Sequence, residues 1–160
     1  MKKICIFAAA ILFCLPLCSL FAAAECASAD NVSAQAAILI EADSGEIVFE
    51  KNAHQKLPMA STTKIMTALV ALEEGDLSKT VKVAEGACGV EGSSIYLTSG
   101  EELTLEHLLY ALMLESANDA AAAIAYEIAG GIEPFAERMN RMAENIGLTE
   151  SHFTNPHGLD

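Results

Sequence analysis

A helix-forming segment over residues 61–72 constrains the fold more strongly than any other part of the sequence. It follows Pro58, has Ser61 and Lys64 at its start, and is apolar at nearly every later position. Those apolar positions are Ile65, Met66, Ala68, Leu69, Val70, Ala71 and Leu72. A helix that is apolar on all sides is buried within a domain. We therefore predict that this helix, which Gly75 closes, lies in the middle of the fold.

A β-hairpin is predicted ahead of this helix. Residues 36–42 and 46–50 form two apolar, β-branched runs, and Asp43-Ser44-Gly45 separates them. Glycine in such a turn allows the positive φ that tight hairpins require. A further short strand is predicted over residues 80–84, followed by a loop rich in glycine and serine over residues 86–100.

Three helices are predicted in the second half of the chain. The first carries leucine at positions 105, 108, 109 and 112, which is the spacing of one helix face. The second is an alanine-rich run over residues 120–129. The third starts with Pro134 at its first position, ends at Gly147, and presents one apolar face made of Phe135, Met139, Met142 and Ile146.

The first 24 residues have the organisation of a secretory signal peptide. Lys2 and Lys3 precede an apolar stretch over residues 4–21, and three alanines at 22–24 offer a cleavage site. An alternative site at residues 27–29 would move the cut a few positions. An uncleaved membrane anchor is the competing interpretation, because the stretch is nearly long enough to span a bilayer, but Pro16 favours cleavage. We expect an exported protein in which residues 25–34 form a linker and residues 35–160 form one domain.

Charge and cysteine content exclude several classes of function. The formal net charge is −13 and the nine Lys and Arg residues are scattered, whereas a nucleic-acid-binding protein needs a basic face. Three of the five cysteines lie in residues 1–24, and Cys26 is kept only if the earlier cleavage site is used, so Cys88 is the one secure thiol. We therefore expect no disulfide framework, no metal and no cofactor. The histidines, none with the spacing of metal ligands, are His54, His107, His152 and His157.

Ser61 and Lys64 are the candidate catalytic pair. Residues three apart are neighbours on a helix, and a serine hydroxyl needs an adjacent base to act as a nucleophile. Burial disfavours the charged form of lysine and lowers its pKa, so that it can accept the serine proton near neutral pH. The spacing predicts that Ile65, Ala68 and Leu72 continue the face of this pair as a buried stripe. The alternative role for Ser61 is that of a helix N-cap.

A second polar group, Ser116-Ala117-Asn118, falls between two of the predicted helices. In a connecting loop, the side chains of Ser116 and Asn118 can point into one cleft. There a hydroxyl could relay protons, and an amide could hold an amide of the substrate. The alternative is that one of these residues caps the alanine-rich helix.

In combination, these motifs resemble a known family. Ser-x-x-Lys followed by Ser-x-Asn, each in its helical setting, is similar to the pattern of the penicillin-binding proteins and serine β-lactamases. Four longer stretches narrow the resemblance to the low-molecular-mass D-Ala-D-Ala carboxypeptidases: residues 60–68, 91–97, 108–120 and 155–160. The resemblance implies an α/β (α+β) fold of the β-lactamase and D,D-peptidase type. In that fold the N-terminal hairpin belongs to an antiparallel sheet that packs against a helical lobe.

The resemblance also implies an activity and its site. A serine D-Ala-D-Ala carboxypeptidase removes the terminal D-alanine from peptidoglycan stem peptides in the extracytoplasmic cell envelope, and β-lactams acylate the same serine. Ser61 would form the acyl-enzyme with Lys64 as its base, Ser116 would pass a proton toward the leaving D-alanine, and Asn118 would bind the peptide backbone. The alternatives are a serine β-lactamase and a non-catalytic wall-binding module of the same fold.

One departure from the family pattern bears on activity. The third motif of the family, Lys-Thr-Gly or similar on a late strand, does not occur in the 160 residues. That strand supplies an oxyanion-hole donor, and the loss of one such donor costs about 10²–10³ in rate. We expect residues 35–160 to be the N-terminal portion of the catalytic domain, with later strands of its sheet missing and without activity of its own. Any membrane association would then come from sequence beyond Asp160.

Overall fold

The computed structural model describes residues 32–159. The predicted signal peptide, Cys26, the first part of the predicted linker and Asp160 lie outside the described residues. The chain divides into two compact units, one ending at Lys56 and one beginning at Leu57. No helix within the described part of the chain is long and apolar enough to cross a bilayer.

The first unit contains the predicted hairpin. Strand β1 (Ala37–Ile40) pairs in antiparallel fashion with strand β2 (Ile47–Lys51). The turn is held by the Glu41 carboxylate, which accepts hydrogen bonds from the backbone N–H groups of Asp43 and Ser44. Gly45 has a φ of +72°, so it supplies the left-handed conformation that the sequence predicted for this turn.

The second unit contains the helices and a second small sheet. After a 3₁₀ turn over Ala60–Thr62, the elements run in the order α1 (Thr63–Glu74), β3 (Thr80–Lys82), β4 (Glu102–Thr104), α2 (Leu105–Leu114), α3 (Asn118–Ala129) and α4 (Ile132–Asn145). Strand β3 was predicted. Its antiparallel partner β4 was not, because three residues are too few to show an alternating pattern. Residues 32–159 thus combine four α-helices with two two-stranded antiparallel sheets, which confirms the mixed fold class.

The central helix of the second unit is α3 and not α1. Every residue of α3 from Asn118 to Ala125 is buried, and the helix packs against α1, α2 and α4. Alanine side chains let three neighbouring helices approach this one closely. The prediction that α1 is buried on all sides is wrong for the described residues. Its neighbours cover one side, which carries Met66, Val70 and Ala71, and leave a second apolar side exposed.

At two helix ends, either the reason for a glycine or the position of a proline differs from the prediction. Helix α1 ends at Gly75 as predicted, but Gly75 has an ordinary negative φ, and a Cβ there would overlap the side chain of Leu105. Glycine is therefore required by packing and not by backbone conformation. Helix α4 begins at Ile132, two residues before Pro134. Proline is tolerated there because the N–H groups of a first helical turn have no partner within the helix.

Candidate active site

Ser61 lies in the 3₁₀ turn that precedes α1, and its side chain is exposed to solvent. The residue before it, Ala60, has a φ of +46°, a conformation that non-glycine residues adopt at a cost and that is often found at functional sites. Ser61 does not act as the cap of α1. The N-cap position belongs to Thr62, whose hydroxyl donates a hydrogen bond backward to the carbonyl of Met59.

Lys64 is almost fully buried, with 3% of its surface exposed. Its Nζ lies 3.2 Å from Ser61 Oγ and 3.1 Å from the backbone carbonyl of His157, and it donates a hydrogen bond to each. Burial lowers the pKa of the Lys64 side chain below the usual lysine value. A serine hydroxyl and a buried amine with a lowered pKa are therefore within hydrogen-bond distance, an arrangement that can generate a nucleophile.

The residues of α1 that are buried next to this pair are not the predicted ones. Ile65 and Leu72, which continue the face of Ser61, are 55% and 57% exposed, and Ala68 is half-buried. Lys64 instead heads the buried face, which continues through Thr67 and Ala71. The two groups sit at the edge between both faces. The serine is therefore accessible to a substrate while the lysine is shielded from water.

The loop over residues 153–159 holds the start of α1. The carbonyl of His157 accepts a hydrogen bond from Lys64 Nζ. The carbonyl of Pro156 accepts another from Thr67 Oγ1 at 2.6 Å. Gly158 has a φ of +80°, and a Cβ there would overlap the carbonyl of Ala60. The resemblance covered this segment but assigned it no role. Its signal in the sequence was Asn155-Pro156-His157-Gly158, a typical turn composition.

His157 contributes its backbone carbonyl to the site, while its ring is held in the same loop. The ring Nδ1 accepts a hydrogen bond from the N–H of Leu159. Burial, and secondly the positive charge of Lys64, lower the pKa of His157, so the ring is neutral at pH 7. Among residues 32–159, no three His, Cys, Asp or Glu side chains lie close enough together to hold a metal ion.

Ser116 lies between α2 and α3 with a φ of +54° and is partly buried. No hydrogen bond joins its hydroxyl to another group of the described chain, so the structure does not connect it directly to Ser61 or Lys64. It is not a helix cap, because Ala117 occupies the N-cap position of α3. A left-handed backbone at a non-glycine residue is nevertheless the kind of strain that active sites retain.

Asn118 opens α3 and is buried, with 4% of its surface exposed. Its Nδ2 donates to the carbonyl of Glu91 at 2.6 Å, and its backbone N–H donates to the carbonyl of Ser93 at 2.7 Å. A carbonyl partner can only face the amide nitrogen, which fixes the orientation of the side chain. The Oδ1 atom is buried and has no hydrogen-bond partner within residues 32–159. Such an acceptor is suited to an incoming N–H donor, because leaving it unpaired costs about 1–3 kcal/mol.

Comparison with known proteins identifies the family. A family model described as D-alanyl-D-alanine carboxypeptidase matches residues 23–160. The chain belongs to the D-alanyl-D-alanine carboxypeptidase family. This confirms the resemblance drawn from the motifs around Ser61, Asn118 and Asn155.

Members of this carboxypeptidase family are similar to the chain in sequence and in structure. D-alanyl-D-alanine carboxypeptidase DacF of Bacillus subtilis is 40% identical over 131 residues, which cover 79% of this chain and 34% of the relative. The crystal structure of penicillin-binding protein 5 from Haemophilus influenzae matches with a TM-score of 0.75 and 34% identity, covering 81% of this chain and 40% of that one. Penicillin-binding protein D2 from Listeria monocytogenes, solved in an ampicillin-bound form, matches with a TM-score of 0.71 and 29% identity over 81% of this chain and 54% of that one. The chain spans about a third of the length of the curated relatives it matches.

Proposed function

We propose that the protein acts as an exported serine D-Ala-D-Ala carboxypeptidase that removes the terminal D-alanine from peptidoglycan stem peptides. One observation carries the proposal within this family: the buried Lys64 Nζ lies 3.2 Å from the exposed hydroxyl of Ser61. Residues 1–24 would direct export and be removed, residues 25–34 would be a linker, and residues 35–160 would form the N-terminal portion of the catalytic domain. The site of action is then the cell envelope outside the cytoplasm.

In the proposed mechanism, Lys64 starts as the neutral amine. It takes the hydroxyl proton of Ser61 while Oγ attacks the carbonyl carbon of the penultimate D-alanine. The bond between that carbon and the nitrogen of the terminal D-alanine breaks, and Ser116 relays to the leaving nitrogen the proton that Lys64 took, which returns Lys64 to the neutral amine. Water then attacks the acyl-enzyme, which releases the shortened peptide and returns the proton to Ser61. The lowered pKa of Lys64 supports its role as base at near-neutral pH.

Asn118 is proposed to bind the peptide backbone next to the bond that breaks. Its Nδ2 is occupied by the Glu91 carbonyl, whereas its Oδ1 is a buried acceptor without a partner among the described residues. A backbone N–H of the stem peptide is the donor that this atom would accept. The contact would orient the substrate carbonyl over Ser61 Oγ.

β-Lactams are proposed as acylating inhibitors of the same serine. The relative from Listeria monocytogenes was solved with ampicillin bound, and a β-lactam presents a strained amide to the nucleophile that attacks the D-Ala-D-Ala bond. The acyl group would remain on Ser61 Oγ because the amide nitrogen stays tethered to it.

Labelled penicillin tests this function in the full-length protein. We expect long-lived covalent label on the wild type, release of D-alanine from a peptide ending in D-Ala-D-Ala, and loss of both in Ser61→Ala. Because Ser61 is exposed, the fold of the variant should be within about 0.5 kcal/mol of the wild type. Rapid turnover of the penicillin would instead indicate a β-lactamase. An absence of label in a folded wild type would indicate a non-catalytic module.

A further inference from the structure

Asp119 is a buried carboxylate to which the proposed mechanism gives no role. Its exposed surface is 0%, and both of its oxygens are fully used. Oδ2 accepts hydrogen bonds from Ser94 Oγ at 2.6 Å and from the N–H of Leu97 at 2.9 Å, while Oδ1 accepts from the N–H groups of Ile95 at 3.2 Å and Ala120 at 2.9 Å. Burial alone would raise its pKa, but the hydrogen bonds outweigh that effect, so the pKa is lowered and the group is ionised.

Three of those four donors belong to one loop, residues 91–97, which we name the EGS loop after its first three residues. The carboxylate thus anchors the far end of this loop to the first turn of α3. Ser94 has a double role, because its hydroxyl donates to Asp119 and accepts from the N–H of Tyr96 at 2.9 Å. Tyr96 has a positive φ of +61°, a conformation that the loop holds only while such contacts fix it.

The near end of the EGS loop holds Asn118. The carbonyl of Glu91 accepts from Asn118 Nδ2, and the carbonyl of Ser93, next to Ser94, accepts from the backbone N–H of Asn118. Gly92 lies between them with a φ of +90°, and a Cβ there would come within 2.7 Å of Asn118 Nδ2. The orientation that leaves Asn118 Oδ1 as a free acceptor is therefore set by the loop and not by α3 itself.

We propose that Asp119 is a positioning residue, which holds the EGS loop so that the Glu91 carbonyl orients the Asn118 amide with Oδ1 toward the substrate. Asp119 touches neither substrate nor reacting atoms, and it acts only through the loop. The inference rests on the proposed function, because it assigns Asn118 Oδ1 to substrate binding. Asn118 then binds the peptide, and the adjacent Asp119 holds the loop that orients the Asn118 amide.

The test uses Ser94→Ala, Ser94→Thr and Asp119→Asn in the full-length protein. Ser94→Ala removes one of the four hydrogen bonds and the partner of the Tyr96 N–H, while Ser94→Thr keeps the hydroxyl. Asp119→Asn places an NH₂ group against two donors in either orientation, so two of the four hydrogen bonds are lost. Ile124→Val is the matched control: Ile124 is a fully buried residue of α3 whose hydrocarbon side chain forms no hydrogen bond with the loop, and the change removes one buried methylene.

Acylation by a fluorescent penicillin should fall about 10-fold in Ser94→Ala and about 100-fold in Asp119→Asn, because small displacements of a binding group have effects of that order. Ser94→Thr should recover most of the rate, and Ile124→Val should stay within about threefold of the wild type. The side-chain NH₂ signal of Asn118 in NMR spectra should shift in Ser94→Ala but not in Ile124→Val. An unchanged Asn118 signal and acylation rate in folded Ser94→Ala would overturn the proposal, as would an equal loss of rate in Ile124→Val.

Failure of the proposed function would give a different result. If the full-length wild type takes no label, the carboxypeptidase proposal fails, but the Asn118 NMR signal still decides whether Asp119 orients the amide through the loop. If Asp119→Asn does not fold, the comparison of Ser94→Ala with Ser94→Thr carries the test alone.

Discussion

In the proposed mechanism, removal of the Ser61 hydroxyl proton depends on a Lys64 that is neutral when substrate arrives. Lys64→Arg keeps the positive charge, but guanidinium does not give up its proton in a protein. We expect Lys64→Arg to lower the rate of penicillin acylation by about 10²–10⁴-fold, and Lys64→Ala to lower it by a similar factor, because general-base catalysis contributes about that much. Stopped-flow labelling of full-length variants checks it. A near wild-type rate in the arginine variant would make Lys64 an electrostatic residue and not a base.

The same lysine predicts the pH dependence of acylation. Burial disfavours the ammonium form, so the pKa of Lys64 in the folded protein lies below the ordinary value of 10.5. The neutral amine is the active form in the proposed mechanism, so the acylation rate should rise with pH and reach half its maximum at that lowered pKa. His157 also titrates close by, and His157→Gln removes the ring while keeping the backbone carbonyl that meets Lys64. A rising limb that vanished in His157→Gln would assign the titration to histidine.

At the scale of elements, the proposed catalytic pair of Ser61 and Lys64 depends on the loop over residues 153–159. In Gly158→Ala the new Cβ would overlap the carbonyl of Ala60, and the residue would keep a left-handed φ of +80°. The loop must then move away from α1, which breaks the hydrogen bond from Lys64 to the His157 carbonyl. We expect acylation to fall about 100-fold and the melting temperature to drop by several degrees, about 2–4 °C for each kcal/mol lost.

Gly147→Ala is the control for this change. Gly147 has a nearly identical φ of +84°, but apart from its chain neighbours no atom of residues 32–159 lies within 4 Å of the position its Cβ would take. Gly147→Ala therefore has only the backbone strain of a left-handed alanine, about 1 kcal/mol, and no overlap of the new Cβ with another atom. Similar acylation rates in the two variants would show that the contact between loop and helix is not needed.

The elements were predictable from the sequence to the extent that they depend on local patterns. The hairpin turn at Gly45 and the helix marked by Leu105, Leu108 and Leu112 follow from periodicity and turn composition. The Ser61–Lys64 contact was also predictable, because it needs only helical spacing. The Lys64–His157 contact joins residues 93 positions apart, and Asp119 meets donors up to 25 positions away. Such contacts are set by how the elements pack, which no local pattern reports.

At the scale of the molecule, the half-exposed α1 shows the limit of composition as a guide to burial. Its sequence is apolar all round, yet within the described residues only the side that packs against α2, α3 and α4 is covered. Its other side borders an apolar groove of about 320 Å³ between α1 and α2. The residues at this groove include Ala68, Leu72, Leu77, Leu109, Tyr110, Met113 and Leu114. Exposed apolar surface of this kind favours association.

Residues 25–160 expressed alone should therefore aggregate and bind a hydrophobic dye. The double variant Leu72→Gln with Met113→Gln should stay monomeric for longer, because both side chains are more than half exposed, at 57% and 52%, and contribute little to the core. Tyr96→Gln is the matched control, since Tyr96 is 87% exposed but does not line the groove. Size-exclusion chromatography with light scattering, together with dye fluorescence, measures the difference. A wild-type segment that runs as a single monomer without dye binding would contradict the prediction, and equal relief by Tyr96→Gln would show that association does not depend on the groove.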